Sequence, residues 1–180
     1  MTGHTDLVIA AIAVLATCVS VCAPTHLFVL RSSSPLRVEV IDGRPRTVIG
    51  RSHPDAIAAI ADRTIAIVRR YDPAAEIVDA PFAPPVMAAA RNGKAFLIMP
   101  TIEEWREGAR KAGEGDRVDL KLELARVDFD ATLASVADVR YHASASGVAA
   151  AFSTSDKPAS RLLDSDRFRK AVLKLLAPIG

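Results

Sequence analysis

Three glutamates in one short stretch are the first residues that could do chemistry. Glu103, Glu104 and Glu107 follow an apolar run and lie around Trp105. Paired carboxylates can serve as the general acid and general base of a hydrolase. Basic residues within the same stretch neutralise these carboxylates, so the pattern favours a solvated acidic turn. A hydrolase that uses the three glutamates is the less favoured alternative.

The single tryptophan of the chain suggests a binding role for the same stretch. Trp105 stands between Glu104 and Arg106 in the sequence. Aromatic and arginine side chains contribute most to the hot spots of protein interfaces. We therefore expect these three residues to form an exposed contact surface beside a sheet edge. The alternative is that Trp105 packs in the core, in which case replacing it with alanine would unfold the domain.

Other common constellations of catalytic or metal-binding residues are missing from the sequence. No two of the four histidines are spaced as i and i+4, and the chain has only two cysteines. The GxSxG, HExxH, P-loop and GxGxxG signatures are also absent. We therefore predict no catalytic, metal-binding or cofactor-binding residues and no small-molecule substrate.

An apolar segment runs from Leu7 to Ala23 without a charged or strongly polar side chain. As a helix it would be roughly 25 Å long, close to the thickness of the hydrocarbon layer of a membrane. A core helix would instead show polar residues with a period of about 3.6. We therefore predict a hydrophobic helix within residues 1–30 that directs the chain to a membrane.

The fate of this segment has three interpretations. It could remain as an anchor, be removed as a secretory signal, or end at a lipidated cysteine. Cys22 is the preferred lipidation site because it closes the apolar run, and Cys18 is the second candidate. The residues before them, Val21 and Thr17, are not the small residues that lipoprotein processing prefers. The predicted partner is a membrane, reached through a lipid or an anchor.

The charges that flank the segment bear on its orientation. Asp6 precedes the segment, and four arginines follow it between Arg31 and Arg46. By the positive-inside rule, an uncleaved anchor with these flanks would leave the folded domain in the cytoplasm. That alternative is a single-pass subunit of a membrane assembly. A lipidated or cleaved chain would instead place the domain on the periplasmic side.

Composition limits the classes of protein to which the chain can belong. With 180 residues, half of them hydrophobic, the chain fits one compact domain with an appendage and is too apolar to be disordered. The 23 Lys and Arg against 21 Asp and Glu leave no basic excess for nucleic acid. We predict a segment at 1–30, a linker at 31–35 and a single α/β domain at 36–180.

Hydrophobic periodicity after the linker predicts the secondary structure. The expected strands are 36–41, 76–79, 95–99, 118–124 and 133–141, and the expected helices are 53–70, 86–90 and 167–176. A slip in the apolar phase at Leu124 and Ala125 predicts a bulge in the hairpin. The order β-α-β-α-β-β-β-α indicates a single mixed sheet with helices packed on it, preceded by the N-terminal hydrophobic helix.

One stretch also resembles a known family. Residues 96–107 join an apolar strand to Pro-Thr-Ile and then to a tryptophan beside an acidic residue, and a hairpin follows. Residues 156–163 contain Asp-Lys-Pro and then a pair of leucines. The stretch is similar to a family of small bacterial envelope lipoproteins of unknown function, over about residues 95–163. The resemblance implies a fold like the amino-terminal domain of TolB and attachment to the periplasmic side of a membrane.

These observations together predict a function in binding. We expect a membrane-tethered lipoprotein on the periplasmic side of the bacterial cell envelope, with other envelope proteins as partners and no catalysis. The alternatives are the single-pass anchored subunit and, less favoured, an envelope hydrolase.

Overall fold

The computed structural model of the protein describes residues 25–31, 39–41, 44–46, 54–106, 115–145 and 159–180. The apolar segment with Cys18 and Cys22 lies outside these ranges, as does Glu107. No helix in the described ranges is both long enough and apolar enough to cross a membrane.

The described residues form seven strands, three α-helices and two 3-10 helices. In chain order these are β1 Thr25–Leu30, β2 Glu39–Ile41, β3 Arg44–Arg46, α1 Pro54–Val68, β4 Glu76–Val78, α2 Pro84–Asn92, β5 Lys94–Arg106, β6 Arg117–Val127, β7 Leu133–Ser144, a 3-10 helix Ala159–Asp164, α3 Asp166–Leu176 and a final 3-10 helix Ala177–Ile179.

Five of the strands build one mixed sheet. Its spatial order is β4-β1-β5-β6-β7, with β1 parallel to both β4 and β5. Strands β5, β6 and β7 form an antiparallel meander, and β2 and β3 pair separately with each other. The predicted architecture of a single mixed sheet with helices packed on it is confirmed.

The first strand of this sheet is not the predicted one. The hydrophobic pattern predicts a strand at residues 36–41 and places Thr25–Leu30 within the hydrophobic segment at 1–30. Instead, Thr25–Leu30 forms β1 inside the sheet, and residues 39–41 pair with β3 outside it. A strand that is buried on both faces has apolar residues at successive positions. In this chain those residues follow closely after the apolar segment, so the two runs resemble one segment. The folded domain therefore includes Thr25, and residues 31–35 follow its first strand.

The larger core lies between the sheet and the helices α1 and α3. Alternate residues of β6 from Val118 to Leu124 face it, and Phe168 and Val172 of α3 are fully buried against them. The 3-10 helix contributes Leu163 to the same cluster. Because β6 and α3 each bury one face against this core, β6 alternates apolar and polar residues and α3 repeats its apolar residues with a helical period. Both patterns are therefore visible in the sequence.

A smaller core lies on the opposite face of the sheet, beneath α2. Phe28 and Leu30 of β1, Leu97 of β5 and Val127 of β6 pack there with Val86 of α2. Because both faces are buried in this part of the sheet, β1 from Leu27 to Leu30 and β5 from Ala95 to Met99 are continuous apolar runs.

The predicted bulge is present, although the phase slip has another origin. The register between β6 and β7 shifts between Leu124 and Ala125, so that Val136 of β7 is the extra residue. On β6 itself the alternation is unbroken. Ala125 is buried because it faces the side that α2 covers, while Leu124 faces the larger core.

Candidate interaction surface

The outer half of the sheet carries charged side chains on the face that lies opposite α1 and α3. Since Val118, Leu120 and Leu122 point into the larger core, the residues between them point the other way. We call this surface the charged face. It is formed by Thr101 and Glu104 of β5, Arg117, Asp119, Lys121 and Glu123 of β6, and Asp138, Arg140 and His142 of β7.

The charged face exists because α2 is short. At about 1.5 Å per residue, its nine residues cover roughly 14 Å, whereas the 13 residues of β5 extend over roughly 43 Å at about 3.3 Å each. Helix α2 packs over the inner strands and the start of β5. None of the described helices covers the remaining length of the β5–β6–β7 meander on this side.

Arg117 is the centre of an ion-pair network at one end of the charged face. Its Nε lies 2.9 Å from Oε2 of Glu104 on the neighbouring strand. Its guanidinium also donates to Oδ2 of Asp119, at 2.9 Å and 3.1 Å. The other carboxylate oxygen of Asp119 contacts Nδ1 of His142 across the β6–β7 pair. Nδ1 of the imidazole is therefore engaged, and half of the ring remains exposed.

Further along the face, charged residues of the same sign lie opposite each other. Lys121 of β6 is in register with Arg140 of β7, and Glu123 is in register with Asp138. Like charges directly opposite each other destabilise a strand pair. Lys121 and Glu123 compensate within β6 through a contact of 3.3 Å. Arg140 and Asp138 remain exposed on the outer strand.

The expectation that Trp105 is exposed is wrong, and the alternative that it packs in the core is correct. The irregular register between Ile102 and Glu104 turns Trp105 towards the larger core, where it is only 5% exposed. It lies opposite Val118 at the end of β5 and not in a loop. Glu104 does lie on the charged face. Arg106 ends β5 opposite Arg117, and its side chain is outside the described part of the structure.

The two described glutamates of the possible acid–base group pair with different arginines. Glu104 pairs with Arg117, whereas Glu103, at the register irregularity, lies 3.7 Å from Arg140. Each of these carboxylates is thus engaged by a different arginine, and Glu107 falls outside the described residues. Within the described ranges, no group of three or more His, Cys, Asp or Glu residues could hold a metal ion.

Sequence reasoning missed Asp119, Arg117 and His142 as members of a site. In the sequence, Asp119 is one polar position within the expected strand 118–124, and His142 is one of four histidines without a partner at i+4. Their separation of 23 positions in the chain conceals their proximity, which the hairpin register alone produces. The sequence does contain one signal of this site. In the alternating pattern of both hairpin strands, most of the polar positions are charged residues.

Tyr141 connects β7 to the helical layer behind the charged face. Its ring is buried and meets Phe168 edge-on, with centroids 5.1 Å apart. Its hydroxyl donates to the carbonyl of Leu162. Burial raises the pKa of Tyr141, and the hydrogen bond with Ser165 and the charge of Arg167 oppose this rise. The outer strand is thus held from behind, with its polar side directed outwards.

The tip of the hairpin presents apolar groups beside the charged face. Phe129 in the β6–β7 turn is 73% exposed, and Leu133 and Val136 are also exposed. Ala131 in the same turn has a φ of 61°, a conformation that costs energy for a residue other than glycine. Hydrogen bonds between Asp128 and Ala131 and between Asp130 and Thr132 close the turn.

Comparison with known proteins gives structural likenesses at low identity. No known protein family matches the sequence, and no curated protein does. The PelC dodecamer from Paraburkholderia phytofirmans is similar with a TM-score of 0.48 and 15% identity, covering 88% of this chain and 89% of that one. Protein CT253 from Chlamydia trachomatis has a TM-score of 0.40 at 10% identity, covering 86% and 95% of the two chains. A homologue of the neuraminyllactose-binding hemagglutinin from Helicobacter pylori has a TM-score of 0.37 at 10% identity, covering 88% and 85%.

Proposed function

We propose that the protein is a membrane-tethered module on the periplasmic side of the cell envelope, and that it binds another envelope protein through its charged face. The observation that supports this proposal is the location of the charges. They stand on one side of a meander whose other side is packed against α1 and α3, so the surface is held rigidly without a covering element in the described part of the chain.

Stability of the fold does not account for so many ionised side chains. Exposed ion pairs contribute about 0 to 1 kcal/mol each, and the like-charge neighbours Lys121 and Arg140 oppose sheet pairing. Arrays of alternating charge instead favour specific orientation and fast encounter between proteins. A binding role explains an arrangement that the fold itself does not require.

The tether in this proposal is short. Strand β1 begins at Thr25, so only two residues, Ala23 and Pro24, separate it from Cys22, the last cysteine of the apolar segment. Lipidation at Cys22 would therefore hold the sheet close to the membrane surface. Lipidation at Cys18 would add four residues to the connection.

Intact mass spectrometry of protein extracted from membranes tests the tether. The expected mass is that of a chain starting at an acylated Cys22, with a chain starting at Cys18 as the second form. A full-length mass would support the single-pass anchor and contradict lipidation. A truncated chain without acyl groups would indicate an ordinary cleaved signal and contradict the tether.

Labelling of intact cells tests the side of the membrane. A cysteine replacing Arg169, which is exposed on α3, should react with a maleimide that cannot cross the inner membrane. The parent protein without this cysteine is the control for labelling at Cys18 or Cys22. The outer membrane is first made permeable to the reagent. Labelling of Arg169→Cys only after lysis of the inner membrane would place the domain in the cytoplasm and refute the proposal.

Photo-crosslinking in cells tests the contact surface. A photoreactive residue replaces Thr101, which is exposed on the charged face and is a short polar side chain. A matched probe at Arg169 reports on the helical side. The proposal predicts an adduct with a different envelope protein at position 101 and a loss of that adduct when Arg117→Glu is added, but not when Lys170→Glu is added. Equal adducts at both probe positions, or no effect of Arg117→Glu, would refute it.

A further inference from the structure

We propose that β7 is also a homodimerisation edge, at which two copies of the chain pair their β7 strands antiparallel around a twofold axis at Val139. This inference rests on the edge of the sheet and on no part of the proposed binding to an envelope partner. The paired copies would join two five-stranded sheets into one continuous sheet.

The first observation is an open and unusually long edge. In the described part of the chain, β7 pairs with β6 alone and is the last strand of the sheet. It has 12 residues, whereas the other edge strand, β4, has three. Long exposed edges present unpaired backbone donors and acceptors that favour pairing with another strand. The register is regular from Ala137 to Ser144, beyond the extra residue Val136.

The second observation is that two charged residues of this edge each face a like charge on β6. Asp138 lies opposite Glu123 of β6, and Arg140 lies opposite Lys121. Each residue thus has a like charge directly opposite it on β6, and no described strand pairs with β7 on its outer side. Arg140 also lies 3.7 Å from Glu103 of β5, an exposed ion pair of the kind that contributes little. A strand that offers a cation opposite Asp138 and an anion opposite Arg140 would relieve both repulsions.

A second copy of β7 is such a strand. In an antiparallel pair centred on Val139, Asp138 lies opposite Arg140 of the other copy, and the same contact occurs a second time by symmetry. A twofold interface requires a self-complementary surface, and the order Asp-Val-Arg meets this requirement. The charged faces of the two copies would then lie on the same side of the joined sheet.

Charge also selects this register over its neighbours. Backbone groups point outwards at alternate residues, so the symmetric register can only move its centre by whole residues. A centre at Arg140 would place the two arginines opposite each other, and a centre at Asp138 would do the same with the two aspartates. A centre at Tyr141 would place Arg140 opposite His142 and leave Asp138 without a cation. Val139 is the centre that gives two attractive pairs.

Charge-swap variants of the full chain test the proposal. The purified, detergent-solubilised protein is examined by light scattering coupled to chromatography, and the dimer dissociation constant is taken from dilution. Asp138→Arg and Arg140→Asp each turn two attractive pairs into two repulsive ones. At about 0.5 kcal/mol for each pair gained or lost, either variant should raise the dissociation constant by roughly thirtyfold.

Two further samples separate pairing from misfolding. The double variant Asp138→Arg with Arg140→Asp restores both attractive pairs and should dimerise like the parent protein. An equimolar mixture of the two single variants should form heterodimers more readily than either variant forms homodimers. Asp62→Arg and Arg169→Asp make the same charge changes at exposed positions of α1 and α3 and should leave the dissociation constant unchanged.

Three outcomes would overturn the proposal. A parent chain that stays monomeric at every concentration refutes the dimer. A dimer that tolerates both single swaps refutes the β7 edge as its interface. Failure of the double variant to recover, when circular dichroism shows that it is folded, refutes the register centred on Val139. None of these results depends on whether an envelope partner binds the charged face.

Discussion

The hydroxyl of Tyr141 on β7 lies 3.1 Å from Oγ of Ser165, the residue that caps α3. Oγ of Ser165 accepts the amide of Phe168 at 3.2 Å and donates to the carbonyl of Leu162 at 2.8 Å. Tyr141 also donates to that carbonyl and packs edge-on against Phe168. One polar cluster therefore joins the outer strand, the 3-10 helix and the start of α3.

Tyr141→Phe should weaken the domain and change its response to alkaline pH. At neutral pH the loss of the hydroxyl should lower the free energy of unfolding by about 1 kcal/mol. Because burial raises the pKa of Tyr141, the folded state favours the neutral phenol. Its stabilisation is complete below the ordinary tyrosine pKa of about 10 and declines as the pH rises above that value.

Urea unfolding of both proteins between neutral pH and pH above about 10 measures this effect. The difference between the parent and Tyr141→Phe should shrink at the alkaline end, since only the parent loses the phenol contribution. Tyr71→Phe is the control, because Tyr71 is 59% exposed. A constant difference across the pH range would contradict the coupling.

Trp105→Ala should strongly destabilise the domain. Trp105 is 5% exposed and packs in the larger core, so its removal should cost about 3 to 5 kcal/mol. Chemical denaturation monitored by far-ultraviolet circular dichroism measures the loss. Trp105→Phe keeps an aromatic ring in the core and should lose clearly less. A stable, fully folded Trp105→Ala protein would contradict the core position.

Thr64→Val should leave the domain as stable as before or more stable by about 1 kcal/mol. Thr64 in α1 is fully buried, and its hydroxyl has no hydrogen-bond partner among the described residues. A buried hydroxyl without a partner is unfavourable, and valine has nearly the same shape. Thermal unfolding compares the variant with Thr64→Ser, which keeps the hydroxyl and loses the methyl group. A large loss of stability in Thr64→Val would reveal a partner for the hydroxyl.

Arg117→Ala should affect partner binding much more than folding. The arginine side chain is 45% exposed, whereas those of its partners Glu104 and Asp119 are 26% and 16% exposed, so the free energy of unfolding should fall by about 1 kcal/mol. The crosslink from position 101 to the envelope partner should nevertheless decrease. Its remaining yield should fall further with added salt, which screens exposed charges. Unfolding and crosslinking measured on the same preparation separate the two effects.

Local patterns were sufficient for the elements that bury one face. Strand β6 alternates polar and apolar residues along the larger core, and α3 repeats its apolar residues with a helical period. The sequence therefore predicted both elements and the mixed sheet around them. Strand β1 was missed because burial on both faces removes the alternation. Its apolar run then has the same appearance as the end of a hydrophobic segment.

By itself, the sequence determined which residues are charged, which are apolar and with what period, and these set the elements and the mixed sheet. Only the tertiary structure decided that Trp105 is buried, because one irregular position in β5 reverses the direction of the side chains after it. Only the register of β6 and β7 decided that Asp119 meets His142 and that like charges face each other beside the open edge. Local preferences act over a few residues, whereas these contacts join residues that are distant in the chain and become neighbours when the sheet forms.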